Sequence, residues 1–93
     1  MATYVILFNW TEQGIKNYKG SPSRVDAARG ELAKSGVQIT DLYWTLGPYD
    51  LAGVVEAPSD EALTSALLAL GAQGNVRTTT LRAFSQEEFS KLI

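Results

Sequence analysis

Tyr49 and Asp50 stand side by side just after Gly47-Pro48, and two arginines, Arg77 and Arg82, lie further along the chain. With Trp10 they are the side chains best suited to hold a ligand. A phenol and a carboxylate can move protons. A guanidinium suits a carboxylate or phosphate. An indole can stack on a flat molecule. A Tyr/Asp/Arg set could therefore run proton transfer on an acidic substrate without any cofactor. The usual catalytic pairs are missing, because the chain has neither cysteine nor histidine. That removes thiolate nucleophiles, imidazole bases and the commonest zinc ligands. No lysine sits beside an apolar strand run, and the acidic residues are dispersed, so no metal site and no cofactor are expected. No residue can be named as catalytic.

Each of these side chains also has a structural reading. Gly47 and Pro48 are turn residues, and Asp50 can accept backbone N–H bonds within a turn while Tyr49 packs. Arg77 and Arg82 have opposite parity, so in one strand they point to opposite faces. One could reach a ligand, or either could pair with Asp41, Asp50 or Glu56. Trp10 suits packing or an interface as well as stacking. Thr78-Thr79-Thr80 offers hydroxyls on both faces but is simply good strand sequence. Tyr43 and Trp44 point oppositely. Lys16 and Tyr18 lie where a lid over a pocket would start.

These residues have 93 positions of chain to hold them, one domain spanning 1–93. A monomer of that size is marginal alone. Without disulfide or metal, oligomerisation is the remaining source of stability. The net charge is −2 and the cations are scattered, which argues against nucleic acid. No apolar run approaches the roughly 20 residues of a membrane-spanning helix. Met1 to Phe8 is apolar but lacks a basic n-region and a cleavage site, so it reads as a strand, and the chain as cytoplasmic. The sequon Asn9-Trp10-Thr11 is then idle.

Thr3 to Phe8 predicts a first strand. Thr11 can cap a short helical turn through Asn17. Ser21-Pro22 predicts a helix start, Ser21 capping and Pro22 first in the helix, with a stop at Gly36. Val25, Ala28 and Leu32 form its apolar stripe, and Arg24 lies off it. Val37 to Leu46 and Tyr49 to Ala57 predict a hairpin about Gly47-Pro48. Ser59 or Asp60 caps a second helix ending at Gly71 or Gly74. That helix has no charge from Ala62 to Val76, which predicts burial beyond its core side. Val76 to Phe84 is the last strand. Ser85 and Glu88 form a capping box, flanked by Phe84 and Phe89, for a short terminal helix from Gln86 to about Leu92.

The order β-α-β-β-α-β with a small last helix is the α+β, ferredoxin-like arrangement: a four-stranded antiparallel sheet with both helices on one face. The strands carry few charges on either parity, so the second face also asks for a cover. A second copy, face to face, would give a dimeric α/β barrel.

Gly47-Pro48-Tyr49-Asp50-Leu51, followed by Val54-Val55-Glu56-Ala57-Pro58, resembles the signature of the GYD family, whose Gly, Tyr and Asp stand here with Pro48 as the variable residue. The opening Tyr4 to Thr11 stretch and the Gly71 to Phe84 segment extend the resemblance over essentially the whole chain. It implies a small ferredoxin-like protein of dimeric α/β-barrel type, and it implies no activity. Three functions fit. The first is a homo-oligomeric small-molecule-binding or regulatory module with Tyr49, Asp50, Arg77, Arg82 and Trp10 as ligand contacts. The second is a cofactor-independent isomerase or monooxygenase-like enzyme, by fold analogy alone. The third is a purely structural assembly protein.

Overall fold

In the computed structural model, which describes residues 1–93, the first strand is central. Strand β1 (Ala2–Trp10) pairs antiparallel with β3 (Leu51–Ala57) on one side and with β4 (Val76–Ala83) on the other. Strand β2 (Gln38–Trp44) pairs antiparallel with the far side of β3. The spatial order β2-β3-β1-β4 is the ferredoxin-like arrangement that the order of elements predicts. Helices α2 (Ser21–Ala33) and α3 (Asp60–Ala72) supply the crossovers. Helix α1 (Glu12–Lys16) and a 3-10 turn at Tyr18–Gly20 lead into α2, and α4 (Gln86–Ser90) follows β4.

Strand alternation decides which side chains meet the helices. Tyr4, Ile6 and Phe8 of β1 and Leu51, Val55 and Ala57 of β3 are buried. They form one core with Leu32 of α2 and with Leu63 and Ala66 of α3. Each large side chain sunk here stabilises by about 1.5–3 kcal/mol. The register puts Val5 and Leu7 on the other face, beside Val54 and Ala52 of β3 and beside Leu81 and Thr79 of β4. No element of the chain covers that face. Leu81 is 49% exposed there and Tyr43 of β2 64% exposed.

Several ends differ from expectation. Ser21 does not cap α2. The 3-10 turn already offers the Tyr18 carbonyl to the Ser21 N–H, so the helix begins at Ser21 with Gly20 as an uncapped N-cap position. The buried Ser21 hydroxyl instead accepts Trp44 Nε1–H at 3.0 Å. Strand β3 starts at Leu51, leaving Tyr49 and Asp50 in the connection, and β2 ends at Trp44 and is bulged between Ile39 and Asp41. Helix α3 buries only Leu63 and Ala66, while Leu68 is 71% exposed. Within one chain, nothing packs on its outer side. The Ser59 cap, the Thr11 cap and the Ser85–Glu88 capping box all form. Phe84 and Phe89 beside the last of these stay about half exposed.

Candidate functional site

The connection between β2 and β3 is tied to the end of β1 by side chains. Beyond Phe8 the β1–β3 ladder stops, because Tyr49 turns its carbonyl to the Thr45 hydroxyl at 2.6 Å. The Trp10 N–H then takes the Asp50 carboxylate, Oδ2, at 2.8 Å in place of a strand carbonyl. The Asp50 N–H donates to the Phe8 carbonyl, and Asn9 Nδ2 donates to the Pro48 carbonyl, each at 2.8 Å. Gly47 has a φ of 122°, open to glycine and strained for other residues. Gly47, Pro48 and Asp50 thus meet the geometric needs of the turn.

The two arginines do lie on opposite faces. Arg77 stands opposite Asn9 on the open face. Arg82 stands opposite Tyr4 on the helix side, where its Nη1 donates to the Thr3 carbonyl at 3.1 Å and to the Ala83 carbonyl. Its guanidinium carbon lies 4.4 Å from the centre of the Phe84 ring and 5.6 Å from that of Tyr4. The expected ion pairs with Asp41, Asp50 or Glu56 are absent. The chain's ion pairs are Lys16–Glu12, Lys34–Glu31 and Lys91–Glu87, all exposed. Asp41 and Glu56 sit on β2 and β3, with β1 between them and β4.

Tyr4 is buried, and its hydroxyl donates to the Asp60 carboxylate at the start of α3. That bond, helped by burial, pushes the Tyr4 hydroxyl above its ordinary pKa, while the Arg82 cation pulls the other way. Asp60 also complements the positive end of the helix.

A cavity of about 70 Å³ lies between the helix face of the sheet and helices α2 and α3. Ile6, Leu32, Val55 and Leu63 contribute to its apolar wall, and Trp10, Ser21, Arg24, Gln73 and Asn75 also line it. Of the five ligand candidates, Trp10 alone reaches it; Tyr49, Asp50, Arg77 and Arg82 do not. Lys16 and Tyr18 do not line it either, but α1 abuts its polar end. There the Thr11 N–H donates to the Asn75 carbonyl at 3.0 Å, and Gln13 Nε2 donates to the Gln73 carbonyl at 3.1 Å and to Asn75 Oδ1 at 2.9 Å. Gly14 is required at this contact, since a Cβ would stand 2.0 Å from the Asn75 carbonyl oxygen. Arg24 lines the cavity although helical periodicity places it beside the apolar stripe of α2. Its spacing three residues after Ser21 is the sequence signal that puts the two side chains on one face.

No group of His, Cys, Asp or Glu side chains could hold a metal ion. No helix is long and apolar enough to cross a membrane. A family model described as the GYD domain matches residues 4–93. A Thermus thermophilus protein named glutamine synthetase and cystathionine beta-lyase binding protein is 36% identical over 84 residues, covering 89% of this chain and 88% of that one. A crystal structure of a Thermus thermophilus protein aligns over 91% of this chain and 95% of its own, with TM-score 0.56 and 29% identity. The crystal structure of MtbAldR aligns with TM-score 0.71 over 91% of this chain at 20% identity, a likeness of fold alone. This chain spans about half of that protein, 52% of its length.

Proposed function

The chain belongs to the GYD family, and on that premise we propose that it is a homodimeric binding module that acts by docking on a partner protein. The observation that carries this reading is the uncovered sheet face. Val5, Leu7, Ala52 and Val54 present a row of apolar side chains there, extended by Leu81 and Tyr43. A second copy laid face to face covers the row and closes a dimeric α/β barrel. Its helix layers then remain outside, and the outer side of α3, with Leu68 exposed, is free for a further contact. Leu46 stands fully exposed at the tip of the β2–β3 connection, a second apolar contact point.

The partner class follows from the relative whose name gives it two metabolic enzymes as partners. By that analogy this module engages an enzyme of amino-acid metabolism, with glutamine synthetase as the first to test. Biolayer interferometry of the immobilised chain against purified glutamine synthetase from the same source is the experiment. Saturable binding that Leu68→Glu or Leu46→Ser weakens supports the reading. Absence of binding to both glutamine synthetase and cystathionine β-lyase overturns the choice of partner. Cofactor-independent catalysis has no comparable support, since Tyr49, Asp50, Arg77 and Arg82 all stand outside the cavity between the sheet and the helices.

A further inference from the structure

We propose that the cavity between the sheet and helices α2 and α3 binds a short-chain aliphatic carboxylate, tail inward, with the carboxylate at Arg24. The site lies on the opposite side of the sheet from the proposed dimer face, so its test does not depend on that reading.

The size of the cavity selects the tail. A cavity of ~150 Å³ holds benzene. The space here is about 70 Å³, enough for a branched aliphatic group and too small for an aromatic ring. Its wall is apolar, so a water filling it would find few partners.

The polar end selects the head group. Ser21 and Arg24 lie three apart on α2 and so share a face. Arg24 donates from Nη1 to the Asn17 carbonyl at 2.7 Å and from Nη2 to the Gly14 carbonyl at 3.3 Å. Those two bonds leave further guanidinium N–H groups uncommitted. Arg24 has no carboxylate partner within the chain. Ser21 is 4% exposed and its hydroxyl accepts from Trp44, so the hydroxyl proton is left to donate. The Asn75 side chain accepts from Gln13 through Oδ1, leaving its NH₂ free to donate. None of the lining residues is acidic. A half-exposed cation among neutral donors at the mouth of an apolar space suits an anion with an apolar tail. The carboxylate would complete the guanidinium, and the tail would fill a void that costs the core packing contacts.

Titrating ¹⁵N-labelled protein with sodium isovalerate tests this. Saturable shifts are expected at Trp10, Arg24 and Leu70 and at the Trp44 indole. Isovaleramide, the neutral isostere, should bind at least about tenfold more weakly. Arg24→Gln should remove that difference, and Ala28→Leu, which fills the cavity, should abolish binding of both. The proposal is overturned if isovalerate gives no saturable shifts on the wild-type protein. It is also overturned if the amide binds as well as the acid, or if the shifts map to the open sheet face.

Discussion

The Asp50 carboxylate accepts the Trp10 backbone N–H at 2.8 Å and so continues the β1–β3 ladder past the point where the main chain of the connection has turned away. The carboxylate stands where the strand would have placed a carbonyl. The connection is thereby locked to the central strand, and Trp10 is held with its side chain along the cavity wall.

Replacing Asp50 separates a structural from a ligand-binding role. Asp50→Ala strands the Trp10 N–H and should cost ~1–2 kcal/mol in urea unfolding. Asp50→Asn keeps an acceptor oxygen and should lose less than half of that. Equal losses in the two variants would point to a need for the charge itself.

Gly14→Ala is expected to be strongly destabilising. The added Cβ would meet the Asn75 carbonyl oxygen at 2.0 Å, a main-chain atom that cannot swing aside as a side chain could. Overpacking of this kind costs about 1–3 kcal/mol or more, above the ~1 kcal/mol by which alanine favours a helix over glycine. Thermal unfolding checks it, with Gly30→Ala as control, since a Cβ on Gly30 meets nothing within 4 Å.

Tyr4 makes stability fall at high pH. Its hydroxyl titrates higher in the folded chain than its ordinary value of ~10, because it donates to Asp60. Protons therefore leave the unfolded chain first as pH rises. The contribution is intact below pH ~10 and is lost as pH climbs through the folded value. Tyr4→Phe should flatten that part of a stability–pH profile while also losing the Asp60 bond at neutral pH.

Glu88 works in the opposite direction. Its carboxylate accepts the Ser85 N–H at 2.9 Å, which holds its pKa below the ordinary value. The capping box is complete above the ordinary carboxylate range and is lost as pH falls through the folded value. A lower protection factor at Ser85 (exchange relative to its intrinsic rate) at pH values below the ordinary carboxylate range, with little change at Phe8 in the core, is the expected signature. Glu88→Ala, which removes the acceptor of the Ser85 N–H, should reproduce it at neutral pH.

Local chemistry made most of the fold legible. The Thr11, Ser59 and Ser85 caps, the alternation through Leu51–Ala57 and the stripe Val25, Ala28, Leu32 each signal their element by short-range rules. The site was less legible for a physical reason. Asp50 has the same composition signal whether it meets a ligand or a neighbouring strand, and only the register shows that Trp10 N–H lies within reach. Arg24 looked solvent-facing because helical periodicity says nothing of what packs at the end of the helix. The cavity joins β1, α2, α3 and β4, and no local pattern encodes a void among segments so far apart in sequence. Ser21 misled because a 3-10 turn had already satisfied its N–H.

The uncovered sheet face is tested most directly by sedimentation equilibrium at micromolar concentration. A face-to-face dimer predicts a mass twice the 10.1 kDa of one chain. Val5 lies between Val54 and Leu81 at the centre of that face, so Val5→Lys should return the mass to that of one chain with its circular dichroism unchanged. A wild-type protein that sediments as a single chain, or a Val5→Lys variant that stays dimeric, would contradict it.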